Sequence, residues 1–143
     1  MAGDRSGFTV GVAAARVGVG LASFLAPGFA GKLLGADLDS GGRLVMRMFG
    51  SRDAIIGVGQ ILGERHGTAR GWYEAAMVVD GLDAAALFTA AARGDVKRPL
   101  AALWGLVALS GVYFGYVAAR SGSAGDDLEA ELAELTAAGI LED

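Results

Sequence analysis

Residues 99–119 read PLAALWGLVALSGVYFGYVAA, and none of these 21 positions carries a charge. At about 1.5 Å per residue such a helix is about 30 Å long, the thickness of the hydrocarbon core of a bilayer. A helix on the surface of a soluble bundle would show a polar face. Here the only polar side chains are Trp104, Ser110, Tyr113 and Tyr116. Lys97 and Arg98 stand at one end and Arg120 at the other, where flanking charges can remain among the headgroups.

Three further apolar segments precede this one. The first covers residues 8–26, is interrupted by Arg16 and is stopped by Pro27-Gly28. The second covers 44–62 and the third 72–92. Turn chemistry in Gly41-Gly42, between Gly63 and Gly71, and in Arg93-Gly94-Asp95 leaves short connections, so consecutive helices should be antiparallel neighbours. The predicted fold is all-α: an integral membrane up-down four-helix bundle over residues 1–120, with spans at 8–26, 44–62, 72–92 and 99–119. A soluble bundle would accommodate the second and third segments but not the fourth. A cleaved secretory leader, suggested by the small residues before Gly31, is opposed by Arg16 inside the apolar run.

Composition agrees with the bilayer. Apolar residues make up 53% and charged residues 20%, and the mean hydropathy is +0.46. Glycine accounts for 24 of 143 residues, well above the usual share of about 7%. Glycine weakens a soluble helix by roughly 1 kcal/mol relative to alanine, whereas membrane helices use small residues to bring backbones together. The net charge of −4 comes largely from a C-terminal run of acids with no base after Arg120, so there is no basic footprint for nucleic acid. With no cysteine and one histidine, His66, no metal-ligand set can be drawn, and no cofactor is expected. Gly57, Gly59 and Gly63 resemble a phosphate loop only superficially, because no strand precedes them and the lysine is missing.

The informative residues are the ionisable ones inside the spans. Each costs roughly 2.5–3.5 kcal/mol at a helix centre, against about −0.5 kcal/mol for leucine, so none can face lipid unpaired. Counting from the side that holds the N-terminus, Arg16 lies about 13 Å deep, Arg52 and Asp53 about 14–15 Å, and Asp80 and Asp83 about 12–16 Å. These five should therefore share one layer near the midplane, two positive and three negative. Arg47 lies nearer the opposite face and should snorkel to the headgroups. Glu74 is near a helix start and should be wet. Thr9, Ala13, Arg16, Gly20 and Ser23 share one helical face, as do Met46, Gly50, Asp53, Gly57 and Gln60. Ala76, Asp80, Asp83 and Leu87 share a third, and Ala108, Gly111 and Gly115 make a smooth face on the fourth span.

The stretch Arg47-Met48-Phe49-Gly50-Ser51-Arg52-Asp53-Ala54-Ile55-Ile56-Gly57 resembles the Arg-x-x-Gly-x-Arg-Asp-x-x-x-Gly segment in the second span of a family of small bacterial four-span proteins of unknown function, themselves loosely similar to DoxX-like membrane proteins. The resemblance extends over most of residues 8–119 and implies the fold, with no assigned activity. Beyond a linker at 121–126, residues 127–143 resemble the first half of a short C-terminal (SHOCT-like) helical domain, whose second half is missing. Read from the residues, the tail is an acidic amphipathic helix with Leu128, Leu132 and Leu135 as its stripe and Gly139 as its stop. Anionic lipid would repel it, so it should meet a protein partner or a second copy of the chain.

Basic residues do not decide the orientation. Arg5, Arg65, Arg70 and Arg120 fall on the side of the termini, and Lys32, Arg43, Arg93, Lys97 and Arg98 on the other. The tail resemblance implies cytoplasmic termini in a bacterial inner membrane. Three functional expectations follow. The first is a non-enzymatic accessory or scaffold subunit, whose Arg16, Arg52, Asp53, Asp80 and Asp83 form a buried network. The second is an intramembrane site, binding or enzymatic, for a lipid or quinone-like molecule at the same five residues. The third is a proton or ion carrier.

Overall fold

The computed structural model describes the backbone of residues 2–138, with side chains described over 7–120 and 131–138. Every element within these bounds is helical: α1 (Ala2–Leu25), α2 (Pro27–Leu33), α3 (Ser40–His66), α4 (Ala69–Arg93) and α5 (Arg98–Ala137). Three of the helices, over Gly7–Leu25, Ala69–Arg93 and Arg98–Arg120, are long and apolar enough to cross a membrane.

Several boundaries differ from the sequence expectation, each for a local reason. Pro27 ends α1 but also opens α2, where proline suits the first helical turn. Gly41-Gly42 is not a turn: Asp39 caps α3, its carboxylate accepting from Gly42 N–H at 2.7 Å, and both glycines lie in the first turn. The connection expected over Gly63 to Gly71 shrinks to Gly67-Thr68. Gly67 adopts a left-handed φ of 69° that glycine accepts without strain, and α3 runs on through His66. Residues 121–126, expected as a linker, are helical backbone continuous with α5. Extending an existing helix avoids the nucleation cost, and the two glycines there, Gly122 and Gly125, penalise it by only about 1 kcal/mol each. Gly139 and the residues after it lie outside the described residues.

The long helices pack as two antiparallel pairs, α1 with α3 and α4 with α5, and α3 meets α4 more sparingly. Glycine sets the closeness of each pair. A Cβ on Gly20 would stand 2.5 Å from Ala54 N and 2.7 Å from Gly50 O, and one on Gly57 2.8 Å from Ala13 O. On α5, Gly115 receives Met77 and the Tyr73 carbonyl, Gly105 receives the Phe88 ring and Gly111 receives the Asp80 carboxylate. The buried positions are mostly small, such as Ala13, Ala76, Ala84 and Ala101, together with Ser23, Asp53, Gln60 and Asp80. Large apolar side chains point outward instead, among them Leu21, Ile55, Leu82 and Leu106. Polar groups inside and apolar groups outside is the reverse of a soluble core and suits a lipid surround.

Candidate functional site: a charged layer in an apolar cavity

The pairs leave a cavity of about 2070 Å³ between them, lined by all five helices. Common ligand pockets measure about 300–1,000 Å³. Val12 and Val19 on α1, and Val107 and Phe114 on α5, both line the cavity and are exposed, so the gap between α1 and α5 faces outward. One end of that gap is bridged by the Phe8 and Phe114 rings, 5.9 Å apart. At the other end Trp104 Nε1 donates to the Leu34 carbonyl at 3.2 Å, tying the chain after α2 to α5 as a floor.

At mid-height lies the layer expected from the sequence, and all five residues meet in it. Arg16 reaches from α1 to α4, where its Nη2 donates to Asp80 Oδ1, and its Nε lies 3.5 Å from Asp53 Oδ1 on α3. Arg52 makes a two-pronged contact with Asp83, Nη1 to Oδ1 at 3.2 Å and Nη2 to Oδ2 at 2.7 Å, the geometry in which guanidinium and carboxylate match best. Asp53 Oδ1 is also 3.9 Å from Arg52 Nη2 and so links the two arginines. Arg16, Asp53, Asp80 and Asp83 line the cavity. Asp53 and Asp80 are each only 6% exposed. Asp53 Oδ1 and Asp80 Oδ2 are buried without a hydrogen-bond partner among the described residues. Arg52 is shallower, stacked over Phe49 with its carbon 4.9 Å from the ring centre.

Arg47 and Glu74 stand apart from this layer. Arg47 Nε donates to the Phe24 carbonyl at 3.3 Å at an exposed position, and Glu74 pairs with Arg70 at 2.9 Å on the surface. His66 is exposed at the end of α3. No group of three or more metal-ligating side chains occurs among the described residues.

A second polar layer was not singled out from the sequence. Tyr73 OH donates to Glu64 Oε1 at 2.6 Å, Thr9 interacts with the same phenol, and Gln60 is buried nearby; all four line the cavity. Thr9, Gln60 and Tyr73 each lie seven residues from a member of the charged layer, namely Arg16, Asp53 and Asp80. Seven residues are two helical turns on one face, about 10 Å. The sequence places Thr9 on the face of Arg16 and Gln60 on the face of Asp53; Tyr73, at the same spacing from Asp80, was the signal not used. Comparison with family models, with curated proteins and with solved structures gave no match.

Proposed function

We propose that this chain is a membrane-embedded binder of an amphiphilic small molecule, lipid- or quinone-like in build, with its head at the charged layer and its apolar part in the cavity. The observation that carries this reading is that the cavity reaches Asp53 and Asp80 while the rest of its wall is largely apolar. Large apolar pockets with a few convergent polar groups are where ligands bind. Ionisable groups at membrane depth mark functional sites, substrate and ligand sites among them.

In this reading α3 is a fourth span. Its 27 residues reach about 40 Å, and Leu44, Val45, Met48, Ile55, Val58 and Leu62 are exposed along it, while Asp53 is paired inward. The resemblance to small bacterial four-span, DoxX-like proteins supports the same topology, in a bacterial cytoplasmic membrane with both termini inside. The chain lacks cysteine, so single cysteines at Asp37, Thr68 and Asp95 can be labelled cleanly with a membrane-impermeant maleimide. Four spans require Thr68 on one side and Asp37 and Asp95 on the other. Labelling of all three from one side removes that topology.

Binding itself is tested by extracting the purified protein and identifying what co-purifies. An amphiphile enriched over bulk lipid should accompany the wild type and be lost from Ala108→Trp, which fills the cavity wall. Identical extracts from both would leave the proposal without support. An accessory role draws on a different feature: the α5 backbone continues about 25 Å beyond Arg120, and Leu132 near its end is 45% exposed. Pull-downs with and without residues 121–143 test it, and capture that does not depend on the tail refutes it.

A further inference from the structure

The proposed site leaves the chemistry of the ligand's head open, and the charges around the cavity narrow it. Both guanidinium groups of the central layer are engaged, Arg16 by Asp80 and Asp53 and Arg52 by Asp83; the one guanidinium nitrogen buried without a hydrogen-bond partner among the described residues, Arg52 Nε, belongs to a residue off the cavity wall. Three carboxyl groups face two guanidiniums, so acidic groups outnumber basic ones in the layer. Two turns away Glu64 adds another carboxylate to the wall, where its described hydrogen bond comes from the neutral Tyr73 hydroxyl. Arg70, the other base on the wall, pairs with Glu74 at the surface. The unused capacity in the layer is mainly of the accepting kind. Asp80 Oδ2 and Asp53 Oδ1 are buried oxygens that accept no hydrogen bond among the described residues, the second only ion-paired at 3.5 Å to Arg16 Nε and 3.9 Å to Arg52 Nη2; both residues are about nine-tenths or more enclosed and line the cavity.

Buried carboxylate oxygens that lack donors are satisfied by N–H or O–H groups, best by a charged donor. A carboxylate or phosphate head entering the same layer would meet engaged arginines and more acidic than basic side chains. We infer that the cavity selects amphiphiles with an ammonium head, which lies between Asp53 and Asp80 with its chain extending toward Trp104. Trp104 is seven residues from Gly111, the position against which Asp80 packs, hence about 10 Å along α5. An eleven-carbon chain spans that length. This inference rests on the cavity being a ligand site. An aminophospholipid and a single-chain amine both present the required head.

The test uses Trp104 as the reporter, in full-length Trp72→Phe protein held in phosphatidylcholine nanodiscs, since the chain has only two tryptophans. The probes are 11-bromoundecylammonium, 11-bromoundecanol and 11-bromoundecanoate, compared at equal membrane-bound concentration. Saturable quenching of Trp104 is expected from the ammonium probe at a concentration at least about tenfold below the alcohol, with the carboxylate weaker still. Asp53→Asn and Asp80→Asn, measured separately, should each shrink the preference for ammonium over alcohol. Displacement of the probe by phosphatidylethanolamine added to the disc supports the inference with a lipid as the source. Saturation untouched by that lipid supports it with a single-chain amine. Equal saturation by ammonium and alcohol, or tightest binding of the carboxylate, overturns the ammonium assignment while leaving the ligand site standing. Absence of saturable quenching by any of the three overturns both.

Discussion

Gly20 and Gly18 lie two residues apart on α1, yet alanine should act on them in opposite directions. At Gly20 a Cβ would stand 2.5 Å from Ala54 N, 2.7 Å from Gly50 O and 3.0 Å from Ala54 Cα. All three are backbone atoms, so no rotamer change relieves the clash. Ordinary contact begins near 3.4 Å, so α1 and α3 must part by about 0.9 Å at the crossing. A gap of that size forfeits roughly a quarter to a half of the dispersion energy of each facing pair, and overpacking of this kind costs about 1–3 kcal/mol. At Gly18 nothing lies within 4 Å of the Cβ position. Alanine there should stabilise the helix by about 0.5–1 kcal/mol, because glycine loses more backbone entropy on ordering. Unfolding by SDS titration in mixed micelles, followed by circular dichroism, should therefore separate Gly18→Ala from Gly20→Ala by about 1.5–4 kcal/mol. Gly20→Ala combined with Gly50→Ala should cost less than the sum of the two, since both substitutions push on the same crossing. If Gly20→Ala were as stable as Gly18→Ala, the close approach of α1 and α3 would not exist.

The charged layer gives a ranking. Asp80→Ala leaves the half-buried Arg16 with Asp53 alone and should cost about 2–4 kcal/mol, whereas Asp83→Ala releases a partner of the more exposed Arg52 and should cost about 1–2 kcal/mol; equal losses in the same titration would contradict this order. Replacing the whole deep cluster, Arg16→Met with Asp80→Leu and Asp53→Leu, should recover most of the loss of Asp80→Ala, because no buried ionisable group is then left without its partner. Trp104→Phe removes the indole donor to Leu34, so amide exchange over residues 28–38 should accelerate relative to α4; unchanged exchange would mean that the floor is held by other contacts. Tyr73→Phe removes the donor to Glu64 and should destabilise by about 1 kcal/mol, with no loss in the titration arguing against that bond.

What was readable in advance depended on how local the responsible physics is. Residues 99–119 declare a span by the absence of charge alone. The five charged residues could be assigned to one layer by rise per residue, because depth in a membrane is one coordinate and helix length supplies it. Their pairing needs the other two coordinates. Arg16 joins Asp80 across the interior rather than only Asp53 on the neighbouring α3, and that choice follows from how the helix pairs sit, which no spacing encodes. α2 was missed because Pro27 reads as a stop for α1, and the same proline is well suited to begin a helix. The continuity of α5 through residues 121–126 was missed because glycine and serine suggest a linker when read alone, whereas a helix arriving from 99–119 has already met its nucleation cost.

The cavity and the buried charges arise from the same arrangement of small residues. Glycines zip α1 to α3 through Gly20, Gly50 and Gly57, and α4 to α5 through Gly105, Gly111 and Gly115. Packing within each pair therefore needs no ionic contact. No comparable line of backbone contact runs between α1 and α5 among the described residues, and the two helix pairs are bridged there by long side chains: Arg16 from α1 to Asp80 on α4 at mid-height, Phe8 to Phe114 at one end, and Trp104 of α5 to Leu34 at the other. Had α1 and α5 carried facing glycines, the interior would have closed and the carboxylates could not have been enclosed without a larger desolvation penalty. With the pairs held apart, Asp53 and Asp80 are buried in the wall of that volume. That volume would serve no purpose beside a network that only fixes helix register. Its retention next to unsatisfied carboxylate oxygens is what favours a bound molecule over a purely structural network.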